Sequence, residues 1–216
     1  MQITIREPGS AITHYIGMLL SLFAATPLLI KAVSSNVPKA IPAMTIYITA
    51  MILLYAASTM YHALNVSSRS IKILKKIDHM MIFVLIAGSY TPICMLVLDA
   101  KIGTILLSLV WGIAIAGMLL KAFWVTCPKW FSSIIYIAMG WVCVLVLPTL
   151  LKTLSAGAFG WLLSGGILYT IGGVIYALKL KTFNGTHKYF GSHEIFHVFV
   201  MAGSFCHFIV MYFYVI

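Results

Sequence analysis

His193-Glu194-Ile195-Phe196-His197 heads a run in which the following nineteen residues, 198–216, include no Asp, Glu, Lys or Arg. The two imidazoles are four positions apart. On an α-helix, positions i and i+4 share one face with Cβ atoms about 5–6 Å apart, so both rings can converge on one ion. Ser192, just before the pair, is the expected N-cap. A charge-free run of this length is close to the ~20 residues that cross the ~30 Å of bilayer hydrocarbon as a helix. The histidine pair is therefore expected at a helix mouth, near a membrane surface.

The rest of the chain has the same character. Its 216 residues are 62% hydrophobic and 8% charged, with a mean hydropathy of +1.06, which excludes a water-soluble globule with an ordinary surface. A net charge of +10 does not indicate nucleic acid here. The fourteen Lys and Arg residues fall almost entirely between apolar runs, without a basic-aromatic stripe, as charges that set membrane topology do. Cys94, Cys127, Cys143 and Cys206 show no CxxC spacing, and they read as packing residues rather than disulfides or thiolate ligands.

Runs suited to spanning lie at about 12–31, 42–63, 77–98, 102–120, 132–151, 159–178 and 193–215. The expected fold is an all-α integral membrane protein, a bundle of seven transmembrane helices forming a single domain over residues 1–216. A cleaved signal peptide is the rival reading of the first run, which instead continues to Lys31 as a retained helix would. Asp99, Lys101 and Gly103 interrupt an otherwise apolar stretch and mark a tight helical hairpin. With the N-terminus cytoplasmic, Arg6, Arg69, Lys72, Lys75, Lys76, Lys121, Lys129, Lys179, Lys181 and Lys188 lie inside, and only Lys31, Lys39, Lys101 and Lys152 lie outside. Positive charge resists translocation, so an N-in, C-out topology is expected. The sequon Asn184-Gly185-Thr186 would then face the cytoplasm unused.

In this topology His62 closes the second helix, Asp78 and His79 open the third, and His193 and His197 open the seventh, all at the inner side. Ionisable groups at membrane depth are costly and mark function by default. Asp78 and Glu194 are in this layer, whereas Glu7 reads as tail and Asp99 as an outer turn. Ser58 is one turn before His62. Its hydroxyl either bonds back to the carbonyl four residues earlier or reaches the same pocket.

Ser58-x-x-x-His62, Asp78-His79 followed by Gly88-Ser89-Tyr90-Thr91-Pro92, and His193-Glu194-x-x-His197 with Cys206-His207-Phe208 resemble the hemolysin III family. That bacterial branch belongs with the progestin and adipoQ receptors and, more remotely, with alkaline ceramidases. The resemblance implies a multi-pass protein of the bacterial plasma (inner) membrane, with a zinc ion near the cytoplasmic face held by His62, His193 and His197. It also implies Asp78 and Ser58 beside the water at the open coordination position. Three neutral imidazoles plus one water form the open arrangement typical of catalytic zinc. Asp78 is then the expected base and Ser58 the donor to a developing oxyanion, acting on a ceramide-like lipid amide or ester.

Membrane lipids are the expected partners, and nucleic acid is not. Three other readings stand beside the hydrolase. One is a receptor or sensor in which zinc only ties helices together. Another is an intramembrane metalloprotease, since His193-Glu194-x-x-His197 matches H-E-x-x-H. The last is a lytic pore. His79 points about 100° from Asp78 on a helix and reads as interfacial. His207 is ~15 Å along the axis from His197, too far for the same ion and suited to a buried polar partner. His14 could approach the pocket from the first helix, and His187 reads as a loop residue. The tryptophans Trp111, Trp124, Trp130, Trp141 and Trp161 are expected mostly at span ends.

Overall fold

The computed structural model describes residues 5–178 and 190–216, which form helices with no strand among them. The α-helices are α1 (Pro8–Ser34), α2 (Ala40–Ala63), α3 (Ser68–Pro92), α4 (Ala100–Phe123), α5 (Lys129–Gly140), α6 (Leu147–Thr153), α7 (Ala156–Leu178) and α8 (Ser192–Val210). Short π segments, Ile93–Val97 and Met211–Val215, extend α3 and α8, and a 3-10 segment, Trp141–Val146, joins α5 to α6. Seven segments are thus long and apolar enough to cross a bilayer, with α5 and α6 sharing one of them. Lys179, Lys181, His187, Lys188 and the sequon at Asn184 lie outside the described residues.

The bundle is apolar outside and polar within. Phe123 is 88% exposed, and Phe23, Leu145 and Ile105 also face outward. Ser10, His14, Ser58, His62, Asp78, Ser133, His197 and Ser204 are buried instead. In water such a surface would aggregate, but against lipid tails it costs nothing, and the interior is the only place where polar groups find partners. The neighbours are α1 with α2, α2 with α3, α3 with α4, α5 with α7, and α7 with α8, and α8 also touches α1. Small residues permit the close approaches. A Cβ on Gly88 would meet the Ala50 Cβ at 2.5 Å, and one on Gly172 would meet the Phe199 Cβ at 2.8 Å.

Three helix ends differ from the sequence expectation. Helix α3 begins about two and a half turns before residue 77, so Asp78 and His79 lie well inside it rather than opening it. Ser67 accepts from the Ser70 N–H as N-cap, and the early turns carry Arg69, Lys72, Lys75 and Lys76, a polar extension that a hydropathy window cannot see. Helix α8 is preceded by Gly191 rather than capped by Ser192, because the Glu194 carboxylate accepts from the Gly191 N–H at 2.8 Å. The fifth span is broken after Gly140. The Tyr90 hydroxyl from α3 donates to the Gly140 carbonyl at 2.6 Å and accepts from the Cys143 N–H at 2.9 Å, so a foreign side chain interrupts the helical ladder. Trp111 and Trp141 are not simple end anchors either, since their indoles donate to Thr91 at 3.2 Å and Thr170 at 2.9 Å.

The hairpin between α3 and α4 is as tight as expected. Asp99 caps α4 by accepting from the N–H groups of Lys101 (3.2 Å) and Ile102 (3.0 Å). A Cβ on Gly103 would lie 2.1 Å from the Cys94 carbonyl oxygen, a backbone atom that cannot swing aside. Gly103→Ala is therefore expected to destabilise the purified protein by ~1–3 kcal/mol. Gly112→Ala, where a Cβ meets nothing within 4 Å, should be neutral or slightly stabilising. Thermal denaturation in detergent compares the two.

Candidate metal centre

Bundle closure brings together residues distant in sequence. His62, at the end of α2, and His193 and His197, in the first turns of α8, offer ring nitrogens all within 4.8 Å of one another. His62 and His197 are almost fully buried. The Nε2 atoms of His62 and His193 are 3.2 Å apart. Two imidazole nitrogens that close need a proton or a cation between them.

Hydrogen bonds on the far side of two rings favour the cation. His62 Nδ1–H donates to the Glu7 carboxylate. Thr13 uses its own hydroxyl proton on the Ser10 carbonyl at 2.9 Å, so its oxygen accepts from His197 Nδ1–H at 2.9 Å. Both rings thereby keep the Nε2 lone pair for the cluster, the arrangement found around metal-bound histidines. His193 Nδ1 has no hydrogen-bond partner among the described residues. A tetrahedral ion bound at ~2.0–2.1 Å sets its nitrogen ligands ~3.3 Å apart, so the His62–His193 spacing fits one. The cluster can hold a metal ion. Imidazole suits zinc, copper, nickel and iron alike, and ligand type alone does not choose among them.

Glu7 was not readable as part of this site. It reads as tail, yet its backbone N–H donates to the His62 carbonyl at 3.0 Å, and the Arg6 N–H donates to that of Ala63 at 3.3 Å. These bonds clip the start of α1 onto the end of α2 and aim the carboxylate at His62. The bond from His62 holds Glu7 below the usual carboxylate range, with burial opposing. Its ionised form thus contributes stability above that range, which is lost as pH falls through the lowered value.

Asp78 and Ser58 are buried and line the same cavity as His193 and His197, but both are outside the close histidine set. His79 corrects the expectation that it turns away from Asp78, since its Nδ1–H donates to Asp78 Oδ2 at 3.0 Å. Ser58 makes no bond back along its helix, unlike Thr59, Ser89 and Thr91. His14 does reach the site, as its ring stacks on His197 at 3.5 Å between centroids and both its nitrogens are buried without a partner among the described residues. His207 is remote and near the Leu162 carbonyl at 3.3 Å. Glu194 receives a hydrogen bond from Ser10 on one oxygen and from the Gly191 N–H on the other.

The cavity has a volume of about 410 Å³. Beyond the polar end its walls are Leu54, Ile82, Leu85, Ile86, Leu106, Leu150, Phe159 and Val200, an apolar lining that suits a hydrocarbon chain.

A profile of the family described as "Haemolysin-III related" matches residues 2–208. Hemolysin-3 of Bacillus cereus is 36% identical over 215 residues, covering 100% of this chain and 94% of that protein. The Hemolysin-3 homolog of Bacillus subtilis (strain 168) is 38% identical over 212 residues, covering 98% and 95%. More distantly, progestin and adipoQ receptor-like protein 1 of Caenorhabditis elegans is 28% identical over 221 residues, covering 94% of this chain and 50% of that one.

Glu7 orients a candidate ligand, so Glu7→Gln is expected to weaken metal retention by about 10- to 100-fold while the bundle stays folded. Chelator competition followed by metal analysis measures this, and Glu194→Gln is the comparison that should not change it.

Proposed function

This chain belongs to the haemolysin-III-related family, a multi-pass bacterial membrane protein, and we propose that it is a zinc-dependent hydrolase of a membrane lipid. The bond cut is an acyl amide or ester, ceramide-like in chemistry, and the activity would serve membrane lipid homeostasis. The observation that carries this reading is the buried histidine cluster, of which His193 and His197 line an apolar cavity of about 410 Å³ that also holds Asp78 and Ser58. A structural ion needs no such cavity and usually takes all its ligands from the protein. The proposed orientation places the cluster at the cytoplasmic side.

In this mechanism His62, His193 and His197 would hold the ion as neutral imidazoles. When bound, zinc polarises a carbonyl and brings the pKa of water to ~7. His79 engages Asp78 Oδ2, which leaves Oδ1 to take a proton from the attacking water and return it to the departing amine or alcohol. The Ser58 hydroxyl, with no bond back along its helix, donates to the carbonyl oxygen as negative charge grows there. Leu54, Ile82 and Leu85 keep bulk water from the acyl side.

The remote likeness to a protein named as a receptor supports a second reading, a sensor in which the ion only joins α2 to α8. The metalloprotease reading has less support, because each Glu194 oxygen already accepts a hydrogen bond, from Ser10 and from the Gly191 N–H. Apolar walls likewise give a pore no polar conduit.

Asp78→Asn is expected to keep the metal and the fold but to lower lipid hydrolysis by ~10²–10⁴-fold, whereas Glu194→Gln stays active. Release of fatty acid from an acyl amide or ester by purified protein reads both variants. Hydrolysis undiminished in Asp78→Asn contradicts the mechanism, and absence of turnover in a metal-loaded wild type favours the sensor.

A further inference from the structure

We propose that His14 is a specificity-determining residue that contacts the bound lipid, its imidazole accepting a hydrogen bond from a donor carried next to the carbonyl to be cut. The inference rests on reading the cavity as a lipid site, and it narrows the lipids that the site prefers to those with such a donor. An acyl amide has one in its N–H, and a simple ester has none.

His14 stands apart from the other described histidines. His62, His79, His193, His197 and His207 each have a polar atom within hydrogen-bond distance of at least one ring nitrogen. His14 is 3% exposed, and neither of its nitrogens has a partner among the described residues. Its ring lies 3.5 Å from that of His197 between centroids, with 11° between the planes. The Tyr55 ring meets it at 5.1 Å and 70°. Phenylalanine would make both contacts without burying a polar atom, so packing explains a ring at this position but not an imidazole. Buried polar groups are satisfied as a rule, and one that the surrounding side chains leave bare points to something bound.

The neighbouring groups define what must bind. A neutral imidazole has one N–H and one bare nitrogen, so it needs both an acceptor and a donor. The ring lines the apolar cavity with Ser58, Asp78, His193 and His197. Asp78, the charged group on that wall, accepts from His79 on Oδ2, and its carboxylate can offer His14 only an acceptor. The nearby donors are committed elsewhere. Thr13 donates to the Ser10 carbonyl, Ser10 to Glu194, and the Tyr55 hydroxyl to Ser204 at 2.7 Å. The Ser58 hydroxyl, in the mechanism above, serves the carbonyl oxygen. A donor for the bare nitrogen therefore has to arrive with the ligand. His14 is outside the close histidine set and so is not a fourth member of the metal cluster. Its stack on His197 puts any donor it binds beside the bond that the site cuts.

The test compares N-butylpalmitamide with butyl palmitate, which differ only in N–H against O, by native mass spectrometry of the metal-loaded full chain in detergent. N-butyl-N-methylpalmitamide, an amide without a donor, separates the effect of the N–H from that of the stronger amide carbonyl. The secondary amide is expected to bind about tenfold tighter than either of the others, the scale of one buried hydrogen bond. His14→Phe should keep the stack on His197 and the metal content while the preference falls to within about twofold.

Equal binding of the secondary amide and the ester overturns the proposal, as does a preference that survives in folded His14→Phe. If that variant loses its fold, the methylated amide decides in wild type, because binding as tight as that of the secondary amide overturns the proposal as well. A folded His14→Phe that has lost the metal gives His14 to the ion rather than to the lipid and overturns it too. Fatty acid release measured alongside separates this inference from the hydrolase. Preference without release removes the hydrolase and leaves the His14 contact, whereas release without preference does the reverse.

Discussion

A buried imidazole in a membrane bundle has two nitrogens to satisfy and no water to do it. Most of the polar architecture here follows from that constraint. His62 and His197 each give one nitrogen to a partner supplied by the start of α1, Glu7 and Thr13, and turn the other toward His193. The close nitrogens need a proton or a cation between them, and the bonds from His62 to Glu7 and from His197 to Thr13 leave both rings as acceptors toward it. The first helix thus belongs to the site although it contributes no residue to the histidine cluster. Its entry is clipped to the end of α2 by the backbone bonds of Arg6 and Glu7.

The same medium dictates the rest of the bundle. Lipid outside removes any need for an outer polar face, so each helix is free to be apolar all round, and position is set by small residues and by inward polar contacts. Tyr90 illustrates the second effect, since one hydroxyl inserted at Gly140 and Cys143 turns a membrane span into two helices joined by a 3-10 segment. The displaced backbone contributes Gly140, Trp141, Cys143 and Val144 to the wall of the apolar cavity. Packing and cavity therefore have a common origin.

What the sequence made legible is what periodicity and hydropathy encode. Seven spans, the hairpin at Asp99, the pairing of His193 with His197 on one face, and the placement of His62 at the same end could all be read from spacing. The start of α3 escaped because its lysines extend past the hydrocarbon, although Ser67 was a readable cap. The contact of His79 with Asp78 escaped because a helical angle describes Cβ directions, and a carboxylate and an imidazole can bend toward each other. Glu7 and Thr13 escaped for a deeper reason: their roles depend on which helix α1 docks against, and single-sequence spacing carries no trace of that. Family likeness covers nearly the whole chain and supports the shared architecture, while the chemistry of the site has to be argued from its residues.

The claim on which everything else depends is that the three imidazoles share one ion and leave a coordination place open. X-ray absorption at the metal edge of the purified full-length protein tests it directly. The account predicts zinc with three imidazole nitrogens and one further oxygen at ~2.0–2.1 Å. A spectrum showing sulfur ligands, four protein nitrogens with no open place, or no stoichiometric metal would contradict it.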